Sequence, residues 1–241
     1  MKVTNIKNKI ISVLGMPHSG TTILSNTLNS MDNGFCLSEP HWTLQTKPFK
    51  LRFDKIDKIP MTDANSVLGA IRARLEHNKV YDFGGVKETY RPRNVKMAKS
   101  IDKIVKESDI VFFIFREPKA LMNNFKKVPG NHMPMERLLY VYNKLIETAN
   151  GCDRAITVIL EDLCDAGNEG AIEYLNSRCG DILAIEGEFN LKPTNYLYGD
   201  PVANNSTRIK KANRDISRLS KQEIGVIDRE LTPKYQAIRK A

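Results

Sequence analysis

Hydrophobic residues fall into two rhythms along the chain. Continuous apolar runs occur at Lys9–Leu14 (KIISVL), Ile110–Phe115 (IVFFIF) and Ala155–Leu160 (AITVIL). Runs of this length without alternation predict strands covered on both faces. VYDFGGVKE, residues 80–88, predicts a further short strand and its end. Between these runs, apolar residues recur three and four apart: Ile23, Leu24, Leu28 and Met31; Val67, Leu68, Ile71 and Leu75; Met97, Ile101, Ile104 and Val105. That spacing predicts helices from about Thr21, over 63–77 and over 95–106. MERLLYVYNKLIETA (135–149) and EGAIEYLNSR (169–178) predict two more. PKALMNNF places Pro118 in a first helical turn, and SKQE (220–223) opens as a capping box. Residues 34–60 show neither rhythm and are read as irregular. Strands alternating with helices predict a three-layer α/β/α fold with a mainly parallel central sheet. The 241 residues fit one domain, 1–241, without repeats or low-complexity segments.

Composition narrows the function. A hydrophobic fraction of 41% and a mean hydropathy of −0.38 describe a soluble globular chain. No run approaches the about 18–20 apolar residues of a membrane span. The opening MKVTNIKNKIISVLG is too broken by Lys and Asn for a signal peptide. Cys36, Cys152, Cys164 and Cys179 form no CxxC pair and match no zinc framework, so they read as buried thiols in a reducing cytoplasm. The net charge is +9, of which +6 lies in 206–241, with ten Lys/Arg against four Asp/Glu. Such a skew suits an anionic partner: nucleic acid, an anionic polymer or a polyanionic nucleotide. Aromatic residues are not interleaved with the basic ones, which argues against a nucleic-acid stacking platform. No metal-ligand cluster is evident.

The chemistry concentrates after the first long strand, in GMPHSGTT (Gly15–Thr22). Unpaired N–H groups at the start of the following helix would face an anion, Ser19, Thr21 and Thr22 add hydroxyl donors, and Gly20 permits close approach. Gly15 and Gly20 match the glycines of a Walker A loop, but Thr21 stands where its lysine belongs. An ordinary strand–turn–helix join with Ser19 as N-cap is the structural alternative.

The segment resembles the phosphosulfate loop of sulfotransferases that use 3'-phosphoadenosine 5'-phosphosulfate (PAPS). That family carries a basic residue followed by S-G-T-T, often after Pro; here Pro17-His18-Ser19-Gly20-Thr21-Thr22 stands there, with His18 in place of Lys or Arg. A second segment, FFIFREPKALMNNF, resembles the family's 3'-phosphate grip. Arg116 and Pro118 match, and Asn124, beside Asn123, holds the position of the family's serine. The resemblance implies that His18 to Thr22 hold the 5'-phosphosulfate and that Arg116 and Asn124 hold the 3'-phosphate. NNSTRIKKANR looks like the family's covering loop, expected over 200–215, with Arg208, then Lys210 and Lys211, as its nucleotide contacts.

The resemblance further implies sulfonate transfer to a hydroxyl or amine acceptor, with 3'-phosphoadenosine 5'-phosphate (PAP) released and no metal required. CLSEPHW (36–42) resembles the substrate-side loop, giving Glu39 as the leading general base, His41 as its neighbour and Trp42 as a pocket wall. Lys87 matches the lysine of the family's Lys-Thr-His, where it touches the leaving bridge. Here Glu88 and Thr89 follow it and no His is present, so the base is Glu39, His41 or Glu88. Glu161 and Asp162, in VILEDLC, are expected to organise loops. His77 and His132 are poor catalytic candidates. Residues 34–60 and 126–134 are expected to shape the acceptor side. Oligomeric state and acceptor identity are unreadable. The alternatives are a non-catalytic PAP- or PAPS-binding protein and a small-molecule kinase with a degenerate P-loop.

Overall fold

The structure, a computed structural model, describes residues 1–41, 49–53, 56–61, 67–77, 81–90, 95–127, 133–189, 191 and 208–240. Five strands form the central sheet: β2 (Lys9–Gly15), β3 (Gly34–Ser38), β6 (Phe83–Thr89), β7 (Ile110–Phe115) and β8 (Ala155–Ile159). Their order is β3-β6-β2-β7-β8 and every pairing is parallel. Two small antiparallel pairs stand outside it: β1 (Lys2–Thr4) with β9 (Ala184–Glu186), and β4 (Phe49–Phe53) with β5 (Ile56–Met61). The helices are α1 (Thr21–Asn29), α2 (Val67–His77), α3 (Val95–Glu107), α4 (Pro118–Lys127), α5 (Met135–Asn150), α6 (Leu160–Cys179), α7 (Lys221–Glu230) and α8 (Thr232–Lys240).

The strand side chains alternate between two cores. Leu14, Val111, Phe113 and Phe115 face the layer that contains Ile71, Ile104, Leu121, Leu138 and Ile227. Ile11, Val13, Phe112 and Ile114 face the layer that contains Leu24, Leu28, Leu163 and Leu175. Helices therefore cover both faces, which is why β2 and β7 read as unbroken apolar runs. Ser12, the polar exception in β2, is buried and shares a 2.7 Å hydrogen bond with Ser108.

The α/β/α layering matches the sequence expectation, and so do β2, β7 and the helices from Thr21 and Pro118. Ser220 accepts from the Glu223 N–H, and the Glu223 side chain returns to the Ser220 N–H, closing the capping box. Five details differ. Residues 34–38 form the edge strand β3, and 49–53 with 56–61 form a hairpin, where the pattern looked irregular. An edge strand of five residues, Gly-Phe-Cys-Leu-Ser, is too short to display a period. Leu160 opens α6 instead of ending β8, and Met31 lies just beyond α1. Gly20, not Ser19, caps α1.

Candidate functional site

Chain reversal brings the site together. From β2 the chain runs to the β3 edge, returns through β6, then crosses to β7 on the other side of β2. Sheets wound this way bind ligands at the carboxyl ends of the strands near the reversal. Gly15 closes β2 there, in register with Thr89 of β6 and Ile114 of β7.

The turn after Gly15 is tight. Ser19 donates to the Met16 carbonyl twice, from its N–H at 3.1 Å and its hydroxyl at 2.7 Å. Gly20 sits at φ 94°, and a Cβ there would lie 2.4 Å from Leu160 Cδ1, so both torsion and space demand glycine. Among the described residues no side chain caps α1, which leaves its first N–H groups to the turn's mouth. Thr21 and Thr22 are buried beside it. His18 takes φ 67°, and its ring stands edge-on to Phe125, 5.1 Å between centroids.

Arg116 follows β7 directly and is buried. Its Nη1 donates to the His18 carbonyl at 2.8 Å and its Nη2 to the Asn213 carbonyl at 2.5 Å. The Asn124 amide, turned so that its oxygen faces the guanidinium, accepts from Nη1 at 2.5 Å and Nη2 at 3.2 Å. All three acceptors are uncharged. Among the described residues the nearest carboxylate oxygen, Glu161 Oε1, is 3.9 Å from Nε, which has no hydrogen-bond partner there. Burial lowers the Arg116 pKa from the ordinary guanidinium value, and the Glu161 carboxylate opposes that shift. A guanidinium stays charged under such conditions.

A second cluster lies alongside. Lys87 Nζ donates to Glu39 Oε1 at 2.8 Å, and Thr89 Oγ1 reaches the same oxygen at 3.5 Å. Lys87 and Thr89, two apart on β6, share one face of the strand; Glu88 leaves the opposite face. Glu88 Oε1 accepts from the His41 backbone N–H at 2.6 Å and meets His41 Nδ1 at 3.1 Å. A ring nitrogen that faces a carboxylate carries the proton, so His41 donates through Nδ1. Glu88 Oε2 is buried without a partner. Glu39 is held at φ 51° while its N–H donates to the Lys87 carbonyl at 2.7 Å. Among the described residues four non-glycines have positive φ; two are asparagines, which tolerate it, and the others are His18 and Glu39.

His18, Ser19, Gly20, Thr21, Thr22, Arg116 and Asn124 are thus one group, and Glu39, His41, Lys87 and Glu88 are a second at the same sheet edge. Arg208, Lys210 and Lys211 are exposed; the carboxyl-terminal segment meets Arg116 through Asn213, two residues beyond Lys211. Trp42, His132 and residues 200–207 lie outside the described residues, as do 42–48, 54–55 and 128–132 of the expected acceptor loops. His77 closes α2 and is exposed. Gly85 answers to close packing: a Cβ would lie 1.6 Å from the Ile11 carbonyl oxygen. Sequence reading did not find Tyr142, Asn213 or Tyr235, which touch Arg116 or its partner and carry no local motif.

The four cysteines are free and buried, and burial pushes the Cys36, Cys164 and Cys179 thiols up to about 12. Among the described residues no three His, Cys, Asp or Glu side chains gather as a metal would need, and no helix is long and apolar enough to cross a membrane.

No family model and no curated protein matches the chain. Two solved structures similar to it are sulfotransferases. One is the sulfotransferase domain of the Synechococcus PCC 7002 olefin synthase, at 17% identity and TM-score 0.41, covering 73% of this chain and 74% of that one. Another is mouse sulfotransferase SULT7A1 complexed with PAP, at 10% identity and TM-score 0.41, covering 97% of this chain and 89% of that one.

Proposed function

We propose that the protein transfers a sulfonate from PAPS to a hydroxyl or amine acceptor. The observation that carries this is the hydrogen bond from Arg116 to His18, which joins two phosphate-suited elements into one mouth. A buried guanidinium whose Nη atoms meet only neutral oxygens, with the Glu161 carboxylate 3.9 Å away on the Nε side, fits a phosphate dianion at its Nη edge. The uncapped start of α1, with Thr21 and Thr22 and with Ser19 holding the turn against Met16, fits the second anionic end of the same nucleotide.

PAPS supplies an activated sulfonate whose S–O bond to the 5'-phosphate breaks as the acceptor oxygen or nitrogen bonds to sulfur. Lys87 places positive charge where the 5'-phosphate oxygen gains electrons. Glu39, just beyond β3 and held against Lys87, takes the acceptor's proton. Glu88 and His41 brace them, since the Glu88 carboxylate fastens the backbone two residues after Glu39. His18 donates to the phosphosulfate through a ring N–H, and unlike the lysine expected there it carries a full positive charge only when protonated.

Titration calorimetry with PAP in EDTA tests the assignment. Wild type is expected to bind without Mg²⁺, and Arg116→Ala to bind far more weakly. No binding by folded wild type overturns the nucleotide assignment. Preference for Mg-ATP favours a kinase. PAP binding with no turnover over a broad acceptor panel favours a protein that only binds the nucleotide.

A further inference from the structure

Glu161 is buried, and both of its carboxylate oxygens are tied. Oε1 accepts from the Glu117 N–H at 3.1 Å, and Oε2 accepts from the Tyr235 hydroxyl at 2.9 Å. Tyr235 belongs to α8 and is itself buried, 74 residues away in sequence. Packing alone would be served by phenylalanine, so the hydroxyl is placed for Glu161. The carboxylate stands 3.9 Å from Arg116 Nε, near enough to hold the cation yet too far to take a hydrogen bond from it. From the other side, the Tyr142 hydroxyl donates to the Arg116 carbonyl at 2.8 Å.

We propose that Tyr235 and Glu161 are positioning residues for the 3'-phosphate site: they keep the carboxylate on the Nε side of Arg116, so that the Nη edge is held only by the neutral His18, Asn213 and Asn124 oxygens and no carboxylate competes there with the phosphate. This rests on the PAP assignment made above. The charge arithmetic explains why Tyr235 is needed. A bare carboxylate beside Arg116 would compete with the phosphate for the same cation. Donation from the Tyr235 hydroxyl and the Glu117 N–H satisfies that carboxylate and fixes it short of the Nη edge. The terminal helix thereby tunes nucleotide selectivity without touching nucleotide.

The test compares PAP with 5'-AMP, which lacks the 3'-phosphate, on wild type and Tyr235→Phe by calorimetry. The variant is expected to bind PAP about tenfold more weakly, the size of one hydrogen bond to a charged group. Its 5'-AMP affinity should stay within about twofold, as for a site outside the coupled network. A general loss of structure would lower both affinities together and overturns the proposal. So does a variant with the wild-type ratio. Failure of wild type to bind PAP removes the assignment and the proposal together, whereas wild-type binding with an unchanged variant ratio removes only the proposal. If Tyr235→Phe does not fold, the Arg116 guanidinium resonances of wild type decide. Nη signals that shift on PAP addition while Nε stays put support the brace, and an Nε signal that shifts with them, as for a direct phosphate bond to Nε, overturns it.

Discussion

Arg116 Nη1 donates to the carbonyl of His18 at 2.8 Å, so the end of β7 and the turn after β2 act as one unit. The link spans 98 residues of sequence and joins the two segments with the strongest claim to a phosphate. It also ties the order of the His18–Gly20 turn to a charged side chain.

Arg116→Ala is expected to weaken PAP binding by roughly 30- to 100-fold, the loss of charge-assisted hydrogen bonds to phosphate. Arg116→Lys should recover little, because a point charge cannot span His18, Asn124 and phosphate together. Calorimetry with PAP on both variants checks this.

Glu39→Gln should lower kcat by about 10²- to 10⁴-fold with PAP affinity intact, as for removal of a general base. Lys87→Met should lower kcat by about 10²-fold or more. It should also lower Tm, since it leaves the Glu39 carboxylate buried without its cation. His41→Gln should cost less than Glu39→Gln; a larger loss would make His41 the base. Steady-state kinetics with melting curves separates these outcomes.

Gly20→Ala is expected to destabilise the fold by roughly 1–3 kcal/mol, because φ 94° is strained for alanine and Leu160 occupies the space. Denaturant titration reads the loss. Gly69→Ala, where an added Cβ meets nothing within 4 Å, is the control and should be neutral or stabilising.

Stability should fall as pH rises from 9 towards about 12. The Cys36, Cys164 and Cys179 thiols have a reference pKa of 9.0 and are raised to about 12 in the fold. Above pH 9 the unfolded chain releases these protons while the folded chain keeps them, so alkali favours unfolding. Below pH 9 their contribution is complete. Melting temperatures over this range measure it. A Cys36→Ala/Cys164→Ala/Cys179→Ala variant should show a shallower decline.

The sheet core was legible because β2 and β7 are buried on both faces, and composition alone then marks them. The phosphate turn was legible because its residues are contiguous. What escaped was assembled across the chain. β3 has five residues and no room for a period. Glu161 showed only as a loop organiser, and Tyr235 not at all, because their meaning lies in a contact between α6 and α8. Asn213 acts through its carbonyl, which every residue carries, so no side-chain pattern could name it.

A crystal structure of the chain with PAP tests the central claim most directly. The account places the 5'-phosphate at the start of α1, on the Gly20–Thr22 N–H groups and the Thr21 and Thr22 hydroxyls, and the 3'-phosphate on Arg116 and Asn124. PAP lodged elsewhere, or a single phosphate shared by both elements, would contradict it.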